Sequence, residues 1–116
     1  MKPNRRYSLN EYGKRNRVLK ALGYASYAAY LASDLWRTIR ARVLQRDGHV
    51  CRGCGGRANQ AHHRNYRSDV LAGVNDVHIV SMCNDCHEEI EFDGDRKVST
   101  RTANKKLKER RRSRRK

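Results

Sequence analysis

Cys51-Arg52-Gly53-Cys54 and Cys83-Asn84-Asp85-Cys86 are the stretches whose reading decides the fold. Each is a C-x-x-C knuckle, in which a tight turn presents two thiolates. Two such knuckles match the general spacing of a closed tetrahedral zinc site, with a separation slightly longer than the commonest pattern. The x-x spacing is poor for a relaxed disulfide, so Cys51, Cys54, Cys83 and Cys86 are read as ligands of one structural Zn2+. A site with four sulfur ligands has no open position, and any chemistry must come from other residues.

Working outward, Ser33 is a candidate N-cap with Asp34 in the first turn. Trp36, Ile39 and Val43 follow at i, i+3 and i+7, which predicts one amphipathic helix ending near Asp47-Gly48. His49-Val50 enters the first knuckle, and Gly55-Gly56 turns the chain back into 58–63, read as a short hairpin. A loop over 65–76 precedes Ile79, Val80 and Met82, which return to the core. Residues 84–92 read as a second helix turning Cys86, Ile90 and Phe92 inward, stopped by Asp93-Gly94-Asp95. The expected fold is small α+β: a ββα finger with a zinc-ribbon-like four-cysteine site, preceded by an amphipathic helix. Its expected bounds are 33–94, between a basic, partly helical arm over 1–32 and a basic tail over 95–116 predicted to be disordered when free.

The chain has 116 residues, 27 Lys and Arg against 12 Asp and Glu, a net charge of +15 and 37% hydrophobic residues. That apolar fraction gives a single small domain little surface to bury, so a metal staple is expected. The charge points to a polyanion, with nucleic acid the leading partner and double-stranded DNA the first choice. No segment is apolar enough to span a bilayer. Paired cysteines and the absence of a span predict a soluble, cytoplasmic protein.

Four of the five histidines, His62, His63, His78 and His87, lie between or just after the knuckles. His87 directly follows Cys86, so on a helix it points about 100° away from the zinc and is free to serve a second metal. Adjacent residues of a regular strand face opposite sides, so His62 and His63 serve one site only where the strand twists at its end.

The region from Tyr30 to Asp93, about half of the chain, resembles the HNH endonuclease family. The matching residues are Trp36 and Arg40, then Arg46 to Gly55, then Ala61-His62-His63-Arg64-Asn65-Tyr66, and finally Val80 to Glu88. The resemblance implies a ββα-metal fold with a four-cysteine zinc, His63 as general base, and His62 and His87 as ligands of a catalytic Mg2+ or Mn2+. Imidazole ligands would also suit Ni2+ or Zn2+. The family's middle asparagine would fall near His78, a departure from the pattern that Asn75 or Asp76 could also fill. The implied reaction is metal-dependent phosphodiester hydrolysis leaving a 5′-phosphate and a 3′-hydroxyl. Arg57, Arg64 and Arg67, with Arg110, Arg111 and Arg112 of the tail, are the candidate phosphate contacts. A non-catalytic zinc-ribbon nucleic-acid-binding protein is the alternative.

Overall fold

The computed structural model describes the backbone of residues 3–114 and side chains within 11–113. Among the described residues there are six helices and two small antiparallel sheets. Helix α1 spans Pro3–Ala21, α2 Tyr27–Leu31, α3 Asp34–Arg46, α4 Ser68–Leu71, α5 Asn84–Glu91 and α6 Thr100–Arg114. Strand β1 is Gln60–His63 and β2 is Ile79–Met82; β3, Phe92–Asp93, pairs with β4, Arg96–Lys97. No described helix is long and apolar enough to cross a membrane.

Helix α3 starts and stops where its sequence dictates. Ser33 Oγ accepts from the Trp36 N–H at 3.1 Å, meeting one of the donors that a helix start leaves unpaired. At the other end Gly48 (φ 64) and His49 (φ 60) are successive left-handed residues, and the His49 N–H returns to the Leu44 carbonyl at 2.9 Å. The inner face of α3 buries Trp36, Ile39 and Val43.

The β1–β2 hairpin is the centre of the molecule. Its register pairs Gln60 with Met82, Ala61 with Ser81, His62 with Val80 and His63 with Ile79. Because side chains alternate, Ala61 and Ile79 enter one apolar cluster with Leu19, Tyr30, Trp36, Ile39 and Val43. Val80 and Met82 enter a second, with Cys51, Cys86, Ile90, Ala103 and Leu107. The hairpin is therefore buried on both faces, between α3 and its neighbours on one side and the knuckles, α5 and α6 on the other.

Three expectations change. The stretch 58–63 pairs mainly with β2, and of the earlier hairpin only the Val50–Arg57 bridge forms. The reason is that Gly55 and Gly56 close the knuckle itself, with Gly55 N–H on the Cys51 carbonyl at 2.9 Å and Cys51 N–H on that of Gly56 at 2.7 Å. Phe92 is 39% exposed, since it leaves α5 two positions past the buried Ile90 and on the opposite side of the helix. Most consequentially, the tail expected to be disordered is mostly the 15-residue helix α6. Ala103 and Leu107, at i and i+4, are buried in the second cluster, so this helix shares the core of the domain and 94 is not its end.

Helices α1 and α6 are also joined directly. Glu11 accepts from the Thr100 N–H at 3.0 Å, and the Tyr12 hydroxyl donates to the Val98 carbonyl at 3.4 Å. The chain entering the domain and the chain leaving it thereby form adjoining walls.

Candidate metal centres

The two knuckles bring the Sγ atoms of Cys51, Cys54, Cys83 and Cys86 within 4.8 Å of one another, close enough for one metal ion. The 3.8 Å between Cys54 and Cys83 excludes a disulfide between them. It equals the edge, about 3.8 Å, of a tetrahedron whose metal–sulfur bonds are about 2.3 Å long. Backbone N–H groups turn inward on the sulfurs: Gly53 to Cys51 at 3.3 Å, Gly56 to Cys54 at 3.4 Å and Cys86 to Cys83 at 3.3 Å. Burial opposes ionisation of Cys51, yet N–H donors outweigh it and bring the thiol down to about 7. Burial and the neighbouring sulfurs push Cys86 up to about 12. Four thiols this close ionise together only around a cation. Space at Gly53 is tight: a Cβ there would lie 3.1 Å from the Cys86 sulfur.

Arg110 completes this centre from α6. It donates from Nη2 to Cys86 Sγ at 3.2 Å and pairs with Glu89 at 2.9 Å. The sequence reading placed Arg110 among phosphate contacts; its guanidinium is instead spent on the cysteine cluster.

A second cluster forms on the α5 face of the hairpin. His62, His87 and Glu91 each offer one ligand atom, all within 4.8 Å of one another. Helix α5 places His87 and Glu91 one turn apart, with His87 Nε2 at 2.8 Å from Glu91 Oε1. Strand β1 turns His62 Nδ1 to 3.9 Å from the same oxygen. Burial, with repulsion from His87, lowers the His62 pKa to about 4. Burial would raise that of Glu91, but the hydrogen bond from His87 and the two imidazoles hold it below the ordinary carboxylate value. At neutral pH the pair is neutral imidazole and ionised carboxylate, as metal ligation needs. The other nitrogen of the His62 ring, the buried Nε2, has no hydrogen-bond partner among the described residues. Glu91 was absent from the sequence reading; its signal was the four-residue spacing from His87 on a predicted helix.

Asn104 of α6 borders this cluster. Its Nδ2 donates to the Arg64 carbonyl at 2.8 Å, which leaves Oδ1 turned toward His62 and favouring a protonated ring nitrogen there. A partner that fixes the tautomer of a ligating histidine is a usual companion of such sites.

His63 is not brought to this cluster. Strand alternation turns it the other way, where it is 3% exposed and stacked on Trp36 with ring centroids 4.5 Å apart. Both its nitrogens meet hydroxyls, Nδ1 with Tyr27 at 3.2 Å and Nε2 with Tyr30 at 3.4 Å. Neither is left to take a proton from a reacting water, so the general base named from sequence sits in an aromatic cage. Burial, reinforced by His62, depresses its pKa from 6.5 to about 3. The sign follows: between those values the unfolded chain binds a proton that the folded one refuses, so this histidine makes stability fall as pH drops from 6.5. His63→Phe should flatten that dependence by up to about 1.4 kcal/mol per pH unit. Denaturant titrations of both proteins between pH 7 and 5 measure it, and parallel curves would count against it.

His78 ends a single 3-10 turn over Asp76–His78 and is partly exposed; its carbonyl accepts from the Arg64 N–H at 2.8 Å. It belongs to neither cluster. Asn75 caps that turn, and Asp76 pairs with Arg42 at 3.0 Å, so the two alternatives for the family's asparagine are engaged in holding the loop. Among the arginines, Arg57 is exposed beside the knuckle, Arg67 is exposed and 3.6 Å from Asp69, Arg111 is half-buried and Arg112 is exposed.

Arg64 lies two residues after His62 and lines a groove of about 710 Å³ between α1 and α6. Lys14, Arg15, Arg67 and Arg101 join it there, against the single acid Glu11. The wall is stiffened by Arg15, whose guanidinium lies 4.1 Å from the Tyr27 ring centroid and 5.4 Å from that of Tyr66.

A scan of protein-family models finds none that matches the chain, and comparisons with curated proteins and with solved structures find no match either. The four-cysteine cluster and the His62, His87 and Glu91 cluster define the chain as a small α+β protein with two candidate metal centres.

Proposed function

We propose that the chain is a metal-dependent endonuclease of the HNH type, hydrolysing phosphodiester bonds of nucleic acid, with DNA the expected substrate. In this reading Cys51, Cys54, Cys83 and Cys86 hold a structural Zn2+, and His62, His87 and Glu91 hold a divalent ion, Mg2+ or Mn2+ before Ni2+ or Zn2+. The observation that carries it is the second cluster: two imidazoles and a carboxylate with their ligand atoms within 4.8 Å of one another, near a groove rich in cations. The strand–strand–helix order of β1, β2 and α5 and the quoted family residues add to it.

A divalent ion held there would supply Lewis-acid stabilisation of the phosphoryl oxygens and a water of lowered pKa. Arg64 and its neighbours in the groove grip the flanking phosphates, and Asn104 keeps His62 in one tautomer. A water oxygen bonds to phosphorus as the P–O3′ bond breaks, leaving a 5′-phosphate and a 3′-hydroxyl. His63, the general base implied by the resemblance, is caged on the other face of the strand; His78, read from sequence at the family's asparagine position and partly exposed, is the imidazole this reading puts forward for proton transfer in its place.

Supercoiled plasmid incubated with the protein plus Mg2+, Mn2+, Ni2+ or EDTA tests the reading. Metal-dependent nicking or linearisation is expected. Glu91→Ala should lower the rate at least about 10²-fold with partial recovery at high metal, and His78→Ala about 10²–10⁴-fold without recovery. A mobility shift without cleavage under any metal would select the non-catalytic zinc-ribbon reading instead.

A further inference from the structure

Helix α6 presents two faces of different chemistry. Ala103, Leu107 and Arg110 face the cysteine side of the core, and Lys106 is tied to Asp93 at 2.7 Å. Arg101, Lys105, Lys108 and Arg112 fall at i, i+4, i+7 and i+11, which places all four within about 40° of one line along the helix. All four are exposed, and none makes an ion pair. Glu109 lies four residues from Lys105 without pairing to it.

Such a stripe is costly by itself. Like charges three and four residues apart destabilise a helix by roughly 0.2–0.5 kcal/mol per pair, and the chain already carries +15. The neighbouring cations Lys106 and Arg110 are neutralised by Asp93 and Glu89, whereas the four cations of the stripe are not. At about 1.5 Å per residue the stripe runs about 16 Å. Its first member, Arg101, also lines the α1–α6 groove with Lys14 and Arg64, the groove that borders His62 through Asn104. Stripe and groove are therefore one continuous cationic track that begins beside the second metal cluster.

We propose that Arg101, Lys105, Lys108 and Arg112 form a rail for the phosphate backbone of one nucleic-acid strand, which it guides through the α1–α6 groove to the His62, His87 and Glu91 centre. The proposal rests on the nuclease reading for what happens at the centre, and on the rail alone for binding. The groove, about 710 Å³ between two helices, is proposed to receive the backbone of one strand, and a single strand is therefore the probe.

The test compares two double variants of the full chain with the same change in net charge: Lys105→Glu/Lys108→Glu on the rail, and Lys20→Glu/Arg37→Glu away from it. Binding of a fluorescein-labelled 20-nucleotide single-stranded DNA is titrated against salt. The rail variant should lose two phosphate contacts, making the slope of log K against log salt shallower by about 1.4 and weakening binding roughly 20-fold at about 0.1 M salt. The control should change little. All four positions are exposed, so thermal transitions matching wild type exclude misfolding. Equal losses in both variants would mean unspecific charge attraction and overturn the rail, as would no loss in either. If the rail variant alone loses binding while wild type cleaves nothing, the rail stands and the nuclease reading falls. If wild type cleaves and the two variants behave alike, the reverse holds.

Discussion

Cys86→Ser is expected to unfold the half of the domain built around the knuckles and to release its metal. Structural zinc in small domains contributes on the order of 10 kcal/mol to folding, comparable to the whole stability of a domain this size, about 5–15 kcal/mol. The cluster has nothing to replace it. Cys51 and Cys86 are themselves among its buried residues, and the apolar groups beside them are few: Leu44, Ala58, Val80, Met82, Ile90, Ala103 and Leu107. Serine also leaves Arg110 aimed at a hydroxyl where it had a sulfur at 3.2 Å. Elemental analysis and thermal unfolding check this, with wild type expected to hold one tightly bound zinc and the variant to show no cooperative transition. A native-like transition in a zinc-free preparation would overturn it.

Deleting residues 102–116 is expected to be nearly as damaging, although composition alone marks the segment as a dispensable basic tail. The deletion removes Leu107, which is 4% exposed, and Ala103, at 2%. It also takes Arg110 from the cysteine cluster and Asn104 from His62. Truncating one buried leucine costs about 2–5 kcal/mol, and losing the helix uncovers Ile90 and Met82 as well. The truncated chain should therefore melt far lower and lose any cleavage activity even at saturating substrate. Leu107→Ala separates packing from charge, since it should destabilise by about 2–5 kcal/mol while leaving the salt dependence of DNA binding unchanged. A truncated protein with wild-type melting would show that α6 does not hold the core.

Much of this architecture was legible in local sequence. The α3 N-cap at Ser33, its inward residues Trp36, Ile39 and Val43, and its stop at Asp47-Gly48 follow from a 3.6-residue period and turn chemistry, which act within a few residues. The four cysteines come together as their spacing implies. So do His62 and His87, which join Glu91, a residue overlooked because its four-residue spacing from His87 points to a ligand only once His62 is seen to face the same helix.

What the sequence by itself determined about this protein is thus its local geometry and its charge: the knuckles, the helix α3, the second helix, and an excess of cations suited to a polyanion. Tertiary structure alone decided which face each strand residue would take. Alternation forces His62 and His63 apart, and only the docking of α5 on one side and Trp36 with Tyr27 and Tyr30 on the other made one a candidate ligand and the other a caged core residue. It likewise decided the fate of residues 100–114. Their composition predicts disorder because like charges repel. Two small apolar positions, Ala103 and Leu107, suffice to fold them once a partner surface of Met82, Cys86 and Ile90 exists, and that surface is assembled by contacts distant in sequence.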